Sequence, residues 1–498
     1  MNINDDLSAL KKFLCFCSGI TANHQNVRSN YMYVAIRGAT HNGEDYISLA
    51  VANGAKYIVL STEAVSTIKQ ENVAYIYINN TRFALSYLLS AFYKKQPQHL
   101  VAVTGTNGKT SVAHFYGQIC SQLGFKSASI GTLGVLTFSQ NYNDCKILNP
   151  LYQPKNQTPQ LTTLDHETLH ATLKKLADDG YAYVAVEASS HGLYQYRLDH
   201  VKFSAAAFTN LTRDHLDYHS TMDNYLDSKL RLFSEILPRH TSAHAVINAD
   251  ISEYNKLQSI CQRYQLKMLD YGKEAKTLRL LNYSMGESIK IEVLGITYAI
   301  HCKLVGEFQI YNLLCSIGLC ISVGLNMKHI AKIIPLLHEV PGRMEIVRTE
   351  PNTGLQIYVD YAHTPDGLKL ALKELRNLVK NDGKLWVIFG CGGDRDRGKR
   401  QIMGGIANEL ADVIVITDDN PRNEDSAKIR AQIIETAPNA IEIADRGSAI
   451  QYGIKNLQPN DVLLVAGKGH EQYQIIGNKK LYFCDKECIK SATLPNCQ

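Results

Sequence analysis

Short apolar runs alternate with amphipathic segments along most of the 498-residue chain. Short runs of β-branched and aromatic residues predict strands, whereas apolar positions that recur every three or four residues predict helices. Over the first hundred residues the pattern predicts strands at 31–36, 57–60 and 75–78 and helices at 45–53 and 81–94. The alternation of strand and helix continues toward the C-terminus. It therefore indicates an α/β fold and favours a parallel central sheet.

The length indicates about three domains at roughly 150 residues each. A polar segment, Lys94-Lys-Gln-Pro-Gln-His99, separates the first group of predicted elements from the next strand. We predict a small N-terminal α/β domain at 1–97, a central parallel-sheet domain at 98–338 and a C-terminal Rossmann-like domain at 339–498.

The most informative segment is Thr104-Gly-Thr-Asn-Gly-Lys-Thr110, which lies between a predicted strand at 100–103 and a predicted helix at 111–123. Glycines in such a turn let backbone N–H groups surround an anion at a helix N-terminus. Lys109 adds a positive charge for the β- and γ-phosphates, and the Thr110 hydroxyl can bind Mg²⁺. The segment predicts a nucleotide site, with an incidental glycine turn as the alternative.

Further candidate ligands follow the next two predicted strands. The strand at 183–187 ends on Glu187, at the edge where a doubly wound sheet binds its ligands. Glu187 is therefore a candidate Mg²⁺ ligand, or alternatively an acid that caps the next helix. His215 and His219 have the spacing of a zinc pair, but no third soft ligand lies nearby. A magnesium or phosphate role for one histidine is favoured.

Four predicted strands of the third domain end in polar loops, near residues 359, 389, 417 and 466. The carboxyl ends of parallel strands meet at one edge of a sheet, so these loops are expected to share a crevice. Arg395 and Arg422 beside Asp419 and Glu471 suit a zwitterion, because guanidinium groups bind carboxylates while acids bind an ammonium group. Ordinary surface loops are the alternative.

Composition describes an ordinary globular protein, with 45% hydrophobic and 20% charged residues. The formal charge is +5 and no Lys/Arg-rich run is interleaved with aromatics, which argues against nucleic acid as a partner. The twelve cysteines form no CxxC pair, so we expect reduced thiols. The acidic N-terminus predicts no signal peptide, and the longest apolar stretch, 313–325, is too short for a bilayer. A cytoplasmic protein without membrane insertion is expected.

Seven motifs in a fixed order carry a family resemblance, and together they are far more specific than any one of them. They are Thr104-Gly-Thr-Asn-Gly-Lys-Thr110, Glu187-Ala-Ser-Ser-His-Gly192, Thr209-Asn-Leu-Thr-Arg-Asp-His-Leu-Asp-Tyr-His219, Pro341-Gly-Arg-Met-Glu345, the segment 390–400, Asp419-Asn-Pro-Arg422 and Gly467-Lys-Gly-His-Glu471. With these motifs the chain resembles the Mur ligases from about residue 20 to residue 486.

The resemblance implies an ATP-dependent ligase that phosphorylates a substrate carboxylate and then forms an amide bond with an amino acid. It implies ATP and Mg²⁺ as cofactors, with the phosphates held by Gly105, Thr106, Asn107, Gly108, Lys109, Thr110 and Ser111. The nucleotide base and ribose would contact Asn312, Arg343 and Asp360. Thr110 and Glu187 would bind one Mg²⁺, and His215 a second.

Lys229 receives a role only from the resemblance. By residue type and position it is a solvated charge on a helix face. It falls, however, where the family carries a carbamylated lysine that helps to place the second metal. The candidate catalytic residues are therefore Lys109, Glu187, His215 and Lys229.

The resemblance also implies two small-molecule substrates, UDP-N-acetylmuramoyl-L-alanyl-D-glutamate and meso-2,6-diaminopimelate, used in peptidoglycan synthesis. The muramyl-dipeptide contacts would be Asn156, Gln157, Thr158, Ser189, Gln195 and Arg197. The amino-acid contacts would be Arg395, Asp419, Asn420, Pro421, Arg422, Gly467 and Glu471. Among Mur ligases, Asp-Asn-Pro-Arg is associated with diaminopimelate, and the Arg422 guanidinium suits its extra carboxylate because it can bind in a bidentate fork.

Three segments depart from the family's pattern: Asn23-His24-Gln25, Asn156-Gln-Thr-Pro-Gln160 and Gln309. None of them touches the expected phosphate, metal or amino-acid positions. We therefore expect changed contacts to the UDP-linked substrate and preserved chemistry.

Three alternatives remain open. A lysine-adding ligase of the same family would not carry Arg422 in this motif, and a folylpolyglutamate synthetase would lack the N-terminal domain. A P-loop nucleotide switch would need no amino-acid pocket, which the charged loops of the third domain suggest. A monomer is expected.

Overall fold

The computed structural model describes residues 3–38, 41–64, 70–148, 161–240, 242–350 and 352–492. Three sheets of four, eleven and six strands, connected by helices, make up the described chain together with one two-stranded hairpin. This is the α/β architecture that the alternation of strands and helices predicts. The sheets span residues 19–78, 99–301 and 345–466.

The N-terminal sheet is parallel and has the strand order β1-β2-β3-β4. Its elements are α1 (Ile3–Leu14), β1 (Gly19–Thr21), β2 (Tyr31–Val34), α2 (Ile47–Ala52), β3 (Ala55–Ser61), β4 (Ala74–Ile78) and α3 (Thr81–Tyr93). The three predicted strands and two predicted helices are confirmed with small shifts of their ends. Neither α1 nor β1 was predicted.

The central sheet has the order β15-β14-β13-β12-β11-β10-β5-β9-β6-β7-β8. Its strands are β5 (His99–Thr104), β6 (Ser127–Gly131), β7 (Gly134–Phe138), β8 (Lys146–Leu148), β9 (Tyr183–Glu187), β10 (Ala205–Phe208), β11 (His244–Asn248), β12 (Lys267–Gly272), β13 (Leu278–Ser284), β14 (Ser288–Val293) and β15 (Ile296–His301). Its helices are α4 (Lys109–Gln122), α5 (His166–Asp178), α6 (Ser190–Tyr194), α7 (Leu216–His219), α8 (Met222–Arg231), α9 (Tyr254–Arg263), α10 (Glu307–Ser322) and α11 (Met327–Ile333).

The middle of this sheet is parallel, as predicted, but both margins are antiparallel. β7 and β8 extend one margin, and β14 and β15 extend the other, as hairpin strands that the helical alternation did not indicate. β5 lies at the centre. Val101 and Val103 pack into the core on one face of the sheet, and Leu100 and Ala102 pack into the core on the other. Burial on both faces explains why this strand is continuously apolar.

The third sheet has the order β16-β17-β21-β18-β19-β20 and is parallel except for β16. Its strands are β16 (Glu345–Glu350), β17 (Leu355–Asp360), β18 (Leu385–Phe389), β19 (Val413–Ile416), β20 (Ile441–Glu442) and β21 (Val462–Ala466), and the hairpin is β22 (Tyr473–Ile476) with β23 (Lys479–Tyr482). Its helices are α12 (Pro365–Arg376), α13 (Lys399–Leu410), α14 (Ser426–Ile434), α15 (Arg446–Asn456) and α16 (Asp485–Ser491). The four strands predicted to end in polar loops are β17, β18, β19 and β21.

The described cysteines all carry free thiols, in agreement with the expectation from the sequence. Within the described ranges, no helix has both the length and the hydropathy needed to cross a membrane.

A partly buried carboxylate joins the N-terminal sheet to the central one. Glu167, in the first turn of α5, accepts hydrogen bonds on Oε1 from Thr21 Oγ1 (2.9 Å) and from the Ala22 N–H (2.7 Å). Burial raises the pKa of Glu167 to about 7, although these two hydrogen bonds oppose the shift. The ionised side chain is thus less stable in the folded protein than in the unfolded chain.

Glu167→Gln is expected to stabilise the protein above pH 7 and to have no such effect near pH 4. The folded pKa of Glu167 lies above the value of 4.5 for an unperturbed glutamate, so wild-type stability falls as pH rises from about 4.5 to about 7. Glutamine keeps an oxygen acceptor for Thr21 and Ala22 without titrating. We expect a gain of about 1 kcal/mol at pH 8, or roughly 1 °C in Tm for a chain of 498 residues. Thermal melts of the wild type and Glu167→Gln from pH 4 to 8 measure this gain. A difference in Tm that does not change with pH would contradict the prediction.

Candidate active site

The glycine turn lies at the carboxyl edge of the central sheet, between β5 and α4. Gly105 (φ 140°) and Gly108 (φ 88°) have backbone angles that favour glycine, and a Cβ at either position would collide with Thr209 or Asn312. The segment after β10 holds the turn in place, since Asn210 accepts hydrogen bonds from the N–H groups of residues 106 and 107. The result is a preformed cradle at a helix N-terminus, where the partial positive charge favours phosphate.

Two lysine ammonium groups contact the same carbonyl oxygen of this turn. Lys109 Nζ donates to the oxygens of Gly105 (2.9 Å) and Thr106 (2.7 Å), and Lys229 Nζ, from α8, donates to the Gly105 oxygen (2.8 Å). Burial lowers the pKa of Lys109. Burial and then the charge of Lys109 lower the pKa of Lys229 well below its ordinary value. Lys229 is only 1% exposed, so its interpretation from residue type as a solvated charge was wrong.

Glu187 connects the phosphate turn to the neighbouring strand. Its carboxylate accepts hydrogen bonds from Thr110 Oγ1 (3.0 Å), from the Thr132 N–H (2.8 Å) and from Thr132 Oγ1 (2.9 Å). The alternative role as a helix cap is wrong, because Ser189 caps α6 by accepting the Gly192 N–H (3.1 Å). Glu187 and Thr110 therefore present hard oxygen donors at the N-terminus of α4.

His215 approaches the turn from the loop before α7, in a left-handed backbone conformation (φ 53°). Its Nε2 lies 3.4 Å from Asp214 Oδ2, and His363 Nε2 lies 3.9 Å from the same oxygen. Burial lowers the pKa values of both imidazoles to about 4, so they are neutral near pH 7. Burial alone would raise the pKa of Asp214, but His215, His363 and Lys399 hold it at about 2. A neutral imidazole beside an anionic carboxylate suits a cation-binding site.

The structure does not support a zinc pair at His215 and His219. Within the described residues, no group of three or more His, Cys, Asp and Glu side chains is arranged to hold a metal ion. His219 instead packs among the rings of His191, Tyr218 and Tyr225.

Two of the three residues assigned to the nucleotide base and ribose lie against the phosphate turn, and the third, Asp360, lies close to Arg343. Asn312, on α10, faces Gly108, and Arg343 Nη2 lies 3.4 Å from Thr110 Oγ1. Asp360 accepts the Met344 N–H (2.6 Å), and burial raises its pKa to about 6. Gln309, one of the departures from the family's pattern, links the first two. It donates to the Arg343 carbonyl (2.9 Å) and accepts from Asn312 Nδ2 (2.9 Å).

Ser189, Gln195 and Arg197 form one hydrogen-bonded group beside the carboxyl end of β9. Arg197 donates to Gln195 Oε1 (2.6 Å) and to the Thr163 carbonyl (2.6 Å), and Thr163 Oγ1 lies 2.9 Å from Ser189 Oγ. The structure thus brings together three of the six residues assigned to the muramyl dipeptide. The other three, Asn156, Gln157 and Thr158, lie outside the described residues.

A cavity of about 820 Å³ separates the central and C-terminal sheets. The central domain contributes Thr132, Asp214 and His215 to its wall. The predicted amino-acid residues that line it are Arg395, Asp419, Asn420, Arg422, Gly467 and Glu471. Pro421 is not among the lining residues; its carbonyl accepts the Glu424 N–H (3.1 Å). The interpretation of these loops as unrelated surface segments is therefore wrong.

The cavity wall has a defined charge arrangement on the side of the C-terminal domain. Asn420 donates to Glu471 Oε2 (3.0 Å), and Arg422 Nη1 donates to the carbonyls of Gly393 (2.9 Å) and Asn420 (3.3 Å). Burial would raise the pKa of Asp419, yet the surrounding cations, Lys468 first among them, lower it. Burial and then the Asp419 charge raise the pKa of Glu471. The wall thus offers an anionic carboxylate close to a guanidinium group.

Two residues that support this wall were missed in the sequence. Lys468, fully buried, donates to Asn420 Oδ1 (3.1 Å) and pairs with Glu471 Oε2 (3.3 Å). It lies inside the motif 467–471, so its position was a usable signal. Arg446, on α15, pairs with Asp485 (2.7 Å) and donates to the Ala466 carbonyl (2.9 Å). No motif marked Arg446, because its role depends on packing between α15, α16 and β21.

Comparison with known proteins agrees with this geometry. A family model of the Mur ligase middle domain matches residues 103–320, and a model of the Mur ligase glutamate ligase domain matches residues 342–469. A Zymomonas mobilis protein named UDP-N-acetylmuramoyl-L-alanyl-D-glutamate–2,6-diaminopimelate ligase is 42% identical over 484 residues, which cover 96% of this chain and 94% of the relative. The chain belongs to the Mur ligase family. Mur ligases form amide bonds with ATP, so the predicted class of enzyme is confirmed.

Two further relatives extend the comparison of this Mur ligase. A Caulobacter vibrioides protein of the same name is 42% identical over 462 residues, which cover 92% of each chain. A solved structure whose title names the same ligase matches with a TM-score of 0.65 and 30% identity, over 95% of this chain and 94% of that one. The likeness thus includes the N-terminal sheet as well as the two domains that the family models match.

Proposed function

We propose that this Mur ligase joins meso-2,6-diaminopimelate to UDP-N-acetylmuramoyl-L-alanyl-D-glutamate in the synthesis of peptidoglycan precursors. The shared cavity carries the proposal, because His215 beside the phosphate turn and Asp419 and Arg422 of the C-terminal domain line one space. A carboxylate activated at the turn and an amine held by the third domain can therefore meet. The names of the similar proteins support the choice of substrates.

The chemistry follows from the weak electrophilicity of a carboxylate. Transfer of the γ-phosphoryl group of ATP to the side-chain carboxylate of the D-glutamyl residue yields an acyl phosphate and ADP. The neutral amine then attacks the carbonyl carbon: a C–N bond forms, the C–O bond to phosphate breaks, and the amine loses a proton. Such transfer depends on charge neutralisation and positioning more than on covalent help from the protein.

The residues of the phosphate turn fit this task. Gly105 and Gly108 let the turn close tightly, because a Cβ at either position would collide with Thr209 or Asn312, and Lys109 brings its ammonium group to the same turn. Thr110 and Glu187 supply oxygen donors of the kind Mg²⁺ prefers, and we propose that they hold one ion. His215 and a carbamylated Lys229 would hold a second. When bound, Mg²⁺ neutralises charge that develops on the phosphates.

The amine substrate would lie against the charged wall of the cavity. Asp419, kept anionic by surrounding cations, suits the ammonium group of an amino acid. The guanidinium of Arg422 suits the carboxylate at the far end of diaminopimelate, which lysine lacks. Lys468 and Arg446 would act by positioning Asn420, Glu471 and the end of β21.

The UDP-linked substrate would extend from the cavity toward the N-terminal sheet. Ser189, Gln195 and Arg197 form its proposed muramyl-dipeptide site. Asn23-His24-Gln25 forms a compact turn in which the Asn23 side chain accepts the Gln25 N–H (3.0 Å) and His24 stacks on Tyr46 (4.5 Å between centroids). We propose that this turn contacts the UDP moiety differently from the family's usual residues.

The proposed substrates indicate where in the cell the reaction takes place. ATP and UDP-linked precursors are cytoplasmic metabolites, so we place the reaction in the cytoplasm. A monomer suffices, because the described site is assembled from residues of a single chain.

ATP-dependent phosphate release tests the proposal, with UDP-N-acetylmuramoyl-L-alanyl-D-glutamate present and meso-diaminopimelate and L-lysine offered in parallel. Release with diaminopimelate alone is the expected result. Release with lysine alone would replace it by the lysine-adding alternative, and release only with a folate and glutamate would indicate the folylpolyglutamate alternative. Reactions without the UDP-linked substrate and reactions of Lys109→Ala provide the background.

A further inference from the structure

A second cavity, of about 720 Å³, lies where α3 and the linker to β5 meet the central domain. We call it the linker cavity and define it by Lys94, Lys95, His170, His200, Lys202 and Arg239, which line it. Hydrogen bonds fix its walls across the junction. Ser90 Oγ donates to the His200 carbonyl (3.0 Å), and the Gln96 amide and the Lys202 backbone exchange two further hydrogen bonds. The cavity is therefore a built feature of the junction.

The linker cavity is separate from the active site. Lys95 precedes β5 and Lys202 precedes β10, so these residues lie at the amino edge of the parallel strands. The phosphate turn follows β5 and lies at the carboxyl edge. A strand of six residues spans about 20 Å. Nothing in the proposed ligase reaction uses this edge of the sheet.

The charge of the linker cavity is strongly one-sided. Four side chains that line it are cationic, Lys94, Lys95, Lys202 and Arg239, and none of its lining residues is acidic. Lys95 pairs with Asp178 (2.9 Å) and Arg239 with Asp199 (3.3 Å). Within the described part of the chain, Lys94 and Lys202 form no ion pair. A multiply charged anion would balance this excess.

Two imidazoles add a second and independent indication. His170, on α5, is 5% exposed, and its Nε2 has no hydrogen-bond partner among the described residues. The Nε2 of His200 likewise has none. Burial lowers the pKa values of His170 and His200 to about 3 and 4, so both rings are neutral. Unpaired buried nitrogens are costly and commonly mark an ion or water that completes the site.

We propose that the linker cavity binds a multiply charged phosphate anion, with Lys94 and Lys202 as its principal charge partners and His170 as a hydrogen-bond donor. Tyr87 and Tyr93 also line the cavity, and its volume of about 720 Å³ leaves room for an organic group on the phosphate. A bound anion would connect α3 with the loops before β10 and β11, and so would hold the N-terminal and central domains together. This site is independent of the substrates proposed above.

Isothermal titration of the full chain with inorganic pyrophosphate, in EDTA, tests the proposal. We expect two binding events in the wild type, one at the phosphate turn and one at the linker cavity. Lys94→Gln/Lys202→Gln should weaken only the second, by about tenfold or more, because two exposed charges are lost. Lys109→Ala should weaken only the first.

A matched control is Lys267→Gln/Lys328→Gln, which removes the same charge from exposed positions outside the cavity and should leave both events unchanged. A parallel titration with phenyl phosphate distinguishes the source. Tighter binding of pyrophosphate would indicate an inorganic anion, and tighter binding of phenyl phosphate an organic phosphate ester. Two results would overturn the proposal. One is a single binding event in the wild type that Lys109→Ala removes. The other is a second binding event that Lys94→Gln/Lys202→Gln leaves intact.

Discussion

Lys229→Ala is expected to lower kcat by about 10²–10³, the range found when one group that stabilises transition-state charge is removed. The physical reason lies in the phosphate turn, where Lys229 and Lys109 both donate to the Gly105 carbonyl. Two ammonium groups on one oxygen repel each other and Lys229 is buried, so a neutral amine at Lys229 is favoured. A neutral amine can add to CO₂ with loss of a proton, which yields a carbamate and reverses the sign of the side chain's charge.

The experiment distinguishes a carbamylated Lys229 from an unmodified, cationic Lys229. Steady-state kinetics of Lys229→Ala would be measured with and without acetate or formate, since a small carboxylate can enter the space left by the side chain. Partial rescue is expected in the alanine variant. Lys229→Met, which keeps most of the buried volume, should retain the fold but gain nothing from acetate.

Two further measurements complete the test of Lys229. A carbamate signal is expected in the ¹³C NMR spectrum of wild-type protein supplied with ¹³C-bicarbonate, and it should be absent from Lys229→Met. Lys256→Ala, at an exposed lysine paired with Asp227, is the control and should keep wild-type kinetics. Full activity of Lys229→Ala would show that Lys229 has no role in catalysis. Loss of activity with neither rescue nor a carbamate signal would show that Lys229 is required but is not carbamylated.

Arg422→Ala is expected to lower kcat/KM for diaminopimelate by about 10²-fold while leaving the low rate with L-lysine nearly unchanged. A charge-assisted bidentate contact to a carboxylate contributes about 3 kcal/mol, which corresponds to this factor. Arg422 lines the cavity, and the carbonyls of Gly393 and Asn420 orient its guanidinium. The selectivity ratio is the quantity of interest, because a general loss of folding would lower both rates together.

Two variants serve as controls for Arg422. Arg422→Lys keeps the positive charge but cannot make a bidentate contact to a carboxylate. An intermediate selectivity for diaminopimelate over lysine is therefore expected. Arg397→Ala removes a guanidinium from the segment 390–400, where the side chain is exposed and pairs with Glu424, and it should keep the wild-type ratio. Unchanged kinetics of Arg422→Ala would show that this residue does not recognise the amino acid.

Local segments of the sequence indicated the phosphate turn and the polar loops that line the cavity. The phosphate turn needs only a strand, two glycines, a lysine and a helix in succession, and all of them lie within about twenty residues. The four polar loops of the third domain were found in the same way, since a buried strand that ends in charged residues is visible in the hydrophobic pattern. From β2 to α3 the predicted limits of helices and strands were accurate, because these elements are short and well separated by polar turns.

Segments whose partners are distant in sequence were predicted poorly. The strands β7, β8, β14 and β15 join the central sheet as antiparallel hairpins, and the helical alternation of the chain does not reveal them. The sequence left two interpretations of Glu187 open. The structure shows that its carboxylate accepts hydrogen bonds from Thr110 and Thr132, which are 77 and 55 residues away in sequence.

The sequence by itself therefore determined the phosphate turn, the N-terminal elements from β2 to α3 and the polar loops of the third domain, because each depends on neighbours along the chain. Only the tertiary structure placed Lys229 on the Gly105 carbonyl, 124 residues away, and brought His215 and Arg422 to one cavity. The physical reason is that burial and charge proximity are properties of packing. A lysine on an amphipathic helix has the same local pattern whether its face meets water or a second ammonium group.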